Sequence, residues 1–93
     1  MNYLITYDVT DNKKRKKIAD FLLEKGFRRI QKSVFLGNIK LNTYKNICFH
    51  LNKLLDKKVD RIFYTSVPED EYNKAVEAEQ IEKDIYNHFL LFV

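Results

Sequence analysis

The chain has 93 residues, 45% hydrophobic and 32% charged, with a net charge of +4; this is the composition of one small globular domain over residues 1–93. No apolar run approaches the ~20 residues that cross a bilayer. Two glycines and one proline leave no flexible linker, and the chain reaches Asp8 before a signal-like stretch can form, so a cytoplasmic protein without membrane association is expected. The charge is unevenly spread: residues 1–58 hold fourteen Lys/Arg against five Asp/Glu, a balance of +9, whereas residues 59–93 hold three against eight, a balance of −5. The first part is the candidate polyanion surface, with a basic face kept only for solubility as the plain alternative.

Tyr3 to Tyr7 predicts a strand with apolar or aromatic side chains on both faces, the pattern of a central strand. Asp8 ends it. Thr10, Asp11 and Asn12 are each good helix caps, and Ile18, Phe21 and Leu22, with Ala19 and Leu23, form a helical stripe that stops near Gly26. The first turns of this helix carry Lys13, Lys14, Arg15, Lys16 and Lys17, which repel one another and oppose the positive end of the helix dipole. Such a conflict is expected where an anion is the missing partner.

Phe27 to Ile39 reads as two strands broken near Gln31-Lys32-Ser33 by a tight turn or a bulge. From Asn42 or Thr43, the residues Tyr44, Ile47, Cys48, Leu51, Leu54 and Leu55 predict a second amphipathic helix. The single cysteine excludes an internal disulfide, and its place in that stripe makes Cys48 a buried structural thiol. Val59 to Val67 returns to strand, Pro68 and the acids after it open a third helix with a stripe of Tyr72, Ala75 and Val76, and Ile85 to Val93 predicts a closing strand.

The order strand, helix, strand, strand, helix, strand is the ferredoxin-like βαββαβ arrangement, an α+β fold with two helices on one face of the sheet and the other face free. The closing strand is additional. A wholly apolar chain end needs cover, so residues 85–93 are expected at a homodimer interface, with a helical or membrane-surface anchor as the alternative.

Asp8 at the end of an apolar strand is the candidate metal ligand and catalytic residue. One carboxylate holds Mg²⁺ or Mn²⁺ poorly, but two Asp8 side chains across a twofold axis, with backbone and phosphate oxygens, form a plausible oxygen set for phosphodiester hydrolysis. Its plain alternative is a turn or cap carboxylate. Lys13 to Lys17, together with Arg28, Arg29 and Ser33, are the candidate nucleic-acid-binding residues, and Tyr3, Tyr7 and Phe35 are strand aromatics that either stack on bases or fill the core. His50 and His88 have no carboxylate or thiol at ligand spacing and read as packing or surface residues. There is no glycine-rich phosphate loop, and Ser33 has no identified base.

Tyr7-Asp8-Val9, then Asp11, the basic cluster around Arg15, Gly26, Arg29, Gln31 and Ser33-Val34-Phe35 resemble the signature of the Cas-two family, the small CRISPR-associated proteins that work with the Cas-one integrase in spacer acquisition. The resemblance is tight over residues 3–37. It implies a ferredoxin-like homodimer, strand-end aspartates facing each other across the twofold with a divalent metal, and double-stranded DNA or single-stranded RNA as the nucleic acid. Two departures stand out: Leu36 follows Ser-Val-Phe where an acid is common, and the segment from Pro68 to Asp84 is long and acidic, as a spacer or as a contact surface for the integrase. Three functions follow from these readings: a metal-dependent endonuclease, a DNA-holding scaffold for spacer integration, and a toxin-like ribonuclease on a similar fold.

Overall fold

Asn2–Asp8 form strand β1, followed by helix α1 (Asn12–Glu24), β2 (Arg28–Gln31), β3 (Val34–Asn38), helix α2 (Leu41–Leu54) and β4 (Arg61–Val67). The computed structural model describes residues 1–79, and a third helix, α3, runs over 69–79 within them. The closing strand expected over 85–93, and His88 in it, lie outside the described residues.

The sheet order is β2-β3-β1-β4, with every neighbouring pair antiparallel. This is the split βαβ pattern expected from the element order, with β1 central because both of its faces carry apolar surface. Tyr3, Ile5 and Tyr7 of β1 and Phe35 of β3 point to one face, where Ile18, Ala19 and Leu22 of α1 and Ile47 and Leu51 of α2 join them in the core. Fully burying an aliphatic or phenyl side chain of this kind stabilises the fold by about 1.5–3 kcal/mol. Tyr3 stacks on Tyr44 of α2 with ring centroids 3.7 Å apart. Burial pushes the Tyr44 phenol up to about 12 and also raises the neighbouring Cys48 thiol, which is half-buried where full burial was expected.

Local chemistry sets most boundaries. Asp11 caps α1, its carboxylate accepting from the Lys14 amide at 3.0 Å. Gly26 ends the helix at φ +95, a backbone conformation that costs a side-chain-bearing residue more than glycine. The break between β2 and β3 holds both expected devices, a turn at Lys32-Ser33 and a register shift between Arg29 and Gln31. Gly37 lets the Phe27 ring lie against β3, since a Cβ there would come within 2.8 Å of that ring. α2 begins at Leu41, slightly before the expected start, and β4 begins at Arg61, because Asp60 is held in a turn by its amide donating to the Asp56 carbonyl at 2.8 Å.

The second face, expected to be free, is so only in part: Asp8 and Phe63 stay exposed on it. Glu79, at the far end of α3, reaches Arg28 at 3.3 Å. The helix leaves β4 at one edge of the sheet and meets β2 at the other, so residues 69–79 cross the sheet. Arg28 pairs in register with Leu36, and Leu36 with Leu4, on the face away from α1 and α2. Leu36 is only 2% exposed there, which accounts for an apolar residue after Ser-Val-Phe.

Candidate nucleic-acid interface

The end of β1 delivers two adjacent side chains to opposite faces, as strand alternation requires. Tyr7 goes toward the helices and is buried, while Asp8 is exposed. Asp8 stands opposite Arg61 of β4, at the rim of a depression of about 240 Å³ that Thr6 and the exposed ring of Phe63 also line. The helix cap is Asp11, so Asp8 is not needed for that task. Among the described residues no three His, Cys, Asp or Glu side chains gather where they could hold a metal. One chain therefore offers a single strand-end carboxylate, too few oxygens to cage Mg²⁺ without a second chain or a substrate phosphate.

The five cations of α1 do not form one uniform patch. Lys14 turns back to Asp60, with Nζ 2.8 Å from a carboxylate oxygen that also accepts from the Asp56 amide at 2.9 Å. The hydrogen bond from Lys14 holds the 5%-exposed Asp60 below the usual carboxylate range, and Asp60 in turn raises Lys14. Lys16 pairs with Asp20 at 2.8 Å on the helix surface, and the Arg15 guanidinium donates to the Asn12 side chain. Lys13 and Lys17 are exposed.

Arg28 and Arg29 are likewise separated. Arg28 lies on the α3 face with Glu79, whereas Arg29 shares the helix face with its register partner Phe35. The Arg29 guanidinium lies 5.4 Å from the Phe35 ring centroid, and its Nε and Nη2 donate to the Lys32 carbonyl at 3.1 and 2.7 Å. The Ser33 carbonyl accepts from the Tyr7 amide at 3.2 Å, which ties the β2–β3 turn to the end of β1. Together Tyr7, Arg15, Lys16, Arg29, Lys32 and Ser33 surround a depression of about 300 Å³.

Sequence reasoning included Arg15, Lys16, Arg29 and Ser33 but missed Lys32 and the hydroxyl of Tyr7. The adjacency of Lys32 to Ser33 was an available signal for the first. No signal was available for the second, because the Tyr7 hydroxyl oxygen is buried without a hydrogen-bond partner only through its tertiary surroundings. Leaving such a donor unpaired costs about 1–3 kcal/mol. Burial raises the Tyr7 phenol, an effect opposed by the nearby Arg29 and Arg15. Tyr3, Tyr7 and Phe35 are all core residues, so base stacking on their rings is excluded in this fold. His50 is exposed on α2 and lies edge-on to Phe21 and Phe49.

The comparisons with known proteins agree with this architecture. The model of the family described as CRISPR associated protein Cas2 matches residues 1–75. A CRISPR-associated endoribonuclease Cas2 of Aeropyrum pernix is 36% identical over 72 residues, covering 77% of this chain and 78% of the relative. Another, of Thermodesulfovibrio yellowstonii, is 36% identical over 94 residues, covering 97% of this chain and 100% of the relative. The crystal structure of Streptococcus pyogenes Cas2 superposes with a TM-score of 0.71 at 25% identity, covering 80% of this chain and 94% of that one. With a ferredoxin-like fold, a tyrosine-aspartate strand end and a family match over most of its length, the chain belongs to the CRISPR associated protein Cas2 family.

Proposed function

We propose that this chain acts as a homodimer in CRISPR adaptation, holding double-stranded DNA on its cationic surface while the Cas-one integrase joins the new spacer. The observation that carries this reading is the convergence of Arg15 and Lys16 on α1 with Arg29, Lys32 and Ser33 from the β2–β3 region around one depression, while Lys13 and Lys17 stand exposed on the same helix. Cations on a rigid helix and turn suit a regularly spaced polyanion, and they grip it without reading its sequence. The cytoplasm, where CRISPR arrays reside, is the matching compartment, and no helix of the described residues is long and apolar enough to cross a membrane.

A second reading is supported by the names of the relatives, which are called endoribonucleases. In it Asp8 from each of two chains would hold a divalent metal, Mg²⁺ or Mn²⁺, which when bound polarises a phosphodiester and activates water. The chain's own part is to place the carboxylate at a rigid strand end and to position single-stranded RNA, or DNA, against it with Arg61 and the α1 cations.

Asp8→Asn separates the two readings. The variant keeps shape while removing charge, and is expected to dimerise normally by light scattering and to lose at least ~10²-fold in metal-dependent cleavage rate. Spacer acquisition in cells, with the integrase present, is expected to survive. Cleavage equal to wild type would end the assignment of Asp8 as a catalytic ligand. Loss of acquisition in a variant that dimerises and binds DNA normally would make hydrolysis the essential function.

A further inference from the structure

We infer that Asn2 and Glu69 form a seat for the guanidinium group of an arginine side chain, at the end of the sheet away from Asp8. Asn2 and Asp8 are the two ends of β1, about 20 Å apart, and none of the groups proposed to hold nucleic acid takes part. In register Asn2 stands between Asn38 of β3 and Val67 of β4, so the three side chains form one row on the face away from α1 and α2. Ser66, Pro68 and Glu69 flank that row where the chain passes from β4 into α3, and together they line a depression of about 440 Å³. The independent observation is the Asn2 amide: the residue is 8% exposed, and its Oδ1 is buried with no hydrogen-bond partner among the described residues. Buried acceptors in native proteins are almost always paired, so an unpaired one beside a pocket marks a missing donor.

The donor that fits this corner is cationic. Glu69, Asp70 and Glu71 occupy the first turn of α3, and three carboxylates outweigh the roughly half a positive charge of a helix N-terminus. Glu71 is paired with Lys74 at 3.7 Å, whereas Glu69, which lines the depression, has no such pair among the described residues. The Met1 ammonium is the one cation among the lining groups, and it donates to the Ile39 carbonyl at 3.3 Å. A bare metal ion would find a single carboxylate and leave most of the space empty. A guanidinium presents five N–H donors in a planar fork, enough to serve Asn2 Oδ1 and the Glu69 carboxylate together, with Asn38 and Ser66 at the rim. Its weakly hydrated plane suits the apolar surface of Val67 and Pro68, whereas an ammonium gathers its three donors at one point. The Asn2 oxygen is closed to solvent in the free protein, so that side chain swings toward the ligand as it enters. The arginine belongs either to a second copy of this chain or to a different protein, and the two sources share this chemistry.

Nuclear magnetic resonance of the isotope-labelled full chain, titrated with N-acetyl-arginine amide, tests the seat first. The capped arginine should shift the Asn2 side-chain amide and the Val67 backbone amide saturably, and leave the Asp8 amide in place. N-acetyl-lysine amide should bind about threefold more weakly, the worth of one hydrogen bond fewer. Asn2→Leu should weaken capped-arginine binding about tenfold, the loss of one hydrogen bond to a charged group, and Glu69→Gln, at an exposed position, should weaken it about threefold. Without ligand Asn2→Leu should be at least as stable as wild type in urea, because the variant removes an unpaired oxygen and strands no partner. Shifts that fail to saturate, or that are unchanged in both variants, overturn the seat. A marked loss of stability in Asn2→Leu does so too, since it would show the Asn2 oxygen paired in solution.

Light scattering then distinguishes the sources. An arginine from a second copy predicts that Asn2→Leu and Glu69→Gln both lower the average mass in solution, and that capped arginine does the same to wild type. An arginine from a different protein predicts an unchanged mass in both variants while wild type still answers to the capped arginine. Because neither Asp8 nor the α1 cations contribute to this seat, its failure leaves the nucleic-acid reading untouched.

Discussion

The two faces of the sheet treat neighbouring residues in opposite ways. On the face covered by α1 and α2, Tyr7 and Arg29 are fixed by Phe35 and the β2–β3 turn, and Arg15 and Lys16 of α1 line the same depression. On the other face Asp8 stands exposed beside Arg61, while Arg28 is engaged by Glu79 from the crossing α3 helix. The first face holds its cationic and phenolic groups in fixed positions, and the second presents an exposed carboxylate and an exposed Phe63 ring. One strand end thus carries a buried phenol on one side and an exposed carboxylate on the other, because alternation puts Tyr7 and Asp8 back to back.

The largest effect that would break this contrast lies in the core. Phe35→Ala removes a fully buried ring beneath both Tyr7 and Arg29 and is expected to lower unfolding free energy by about 3–5 kcal/mol, measured by urea denaturation. Asp8→Asn, on the exposed side, should shift that stability by no more than about 0.5 kcal/mol while reducing metal-dependent cleavage at least ~10²-fold. If both variants unfolded the protein equally, the distinction between a braced face and an open one would fail.

Salt dependence sharpens the comparison at smaller scale. Replacing Lys13, Arg15 and Lys17 with glutamine should reduce the slope of log affinity for duplex DNA against log salt by about 2–3, since each neutralised phosphate contributes roughly 0.9. Lys14→Gln should leave that slope nearly unchanged, because its ammonium is committed to Asp60. An equal loss of slope in both variants would return the cluster to a single undivided patch.

The smallest effect concerns pH. Asp60 is depressed in the folded state by Lys14 and the Asp56 amide, so its contribution is present above the ordinary carboxylate value of 3.8 and is lost as pH falls through the lower folded value. Lys14 is raised, so its contribution is present below the ordinary value of 10.5 and is lost as pH rises through the higher folded value. Asp60→Asn should lower Tm near neutral pH, and its deficit relative to wild type should shrink at both extremes. A deficit constant from pH 3 to pH 11 would show that packing at this position, and not the ion pair, is what the variant disturbs.

Much of this molecule is readable along the chain. The Asp11 cap, the stripe of Ile18, Ala19 and Leu22, the stop at Gly26 and the turn before Ser33 all depend on residues within a few positions of one another, and the strand-helix order follows from them. Asp8 is legible for the same reason, as the polar residue where an apolar strand ends. The partition of the cations is not. Lys14 meets Asp60 across 46 residues, and the adjacent Arg28 and Arg29 part company because the strand they share has a helix-covered side and a side crossed by α3. Spacing along the sequence identifies which groups are charged and which elements carry them. Only the tertiary structure decides which charges are spent on partners, which remain available to a ligand, and that the Tyr7 hydroxyl is left unpaired among arginines, because those outcomes depend on packing between segments that local periodicity does not relate.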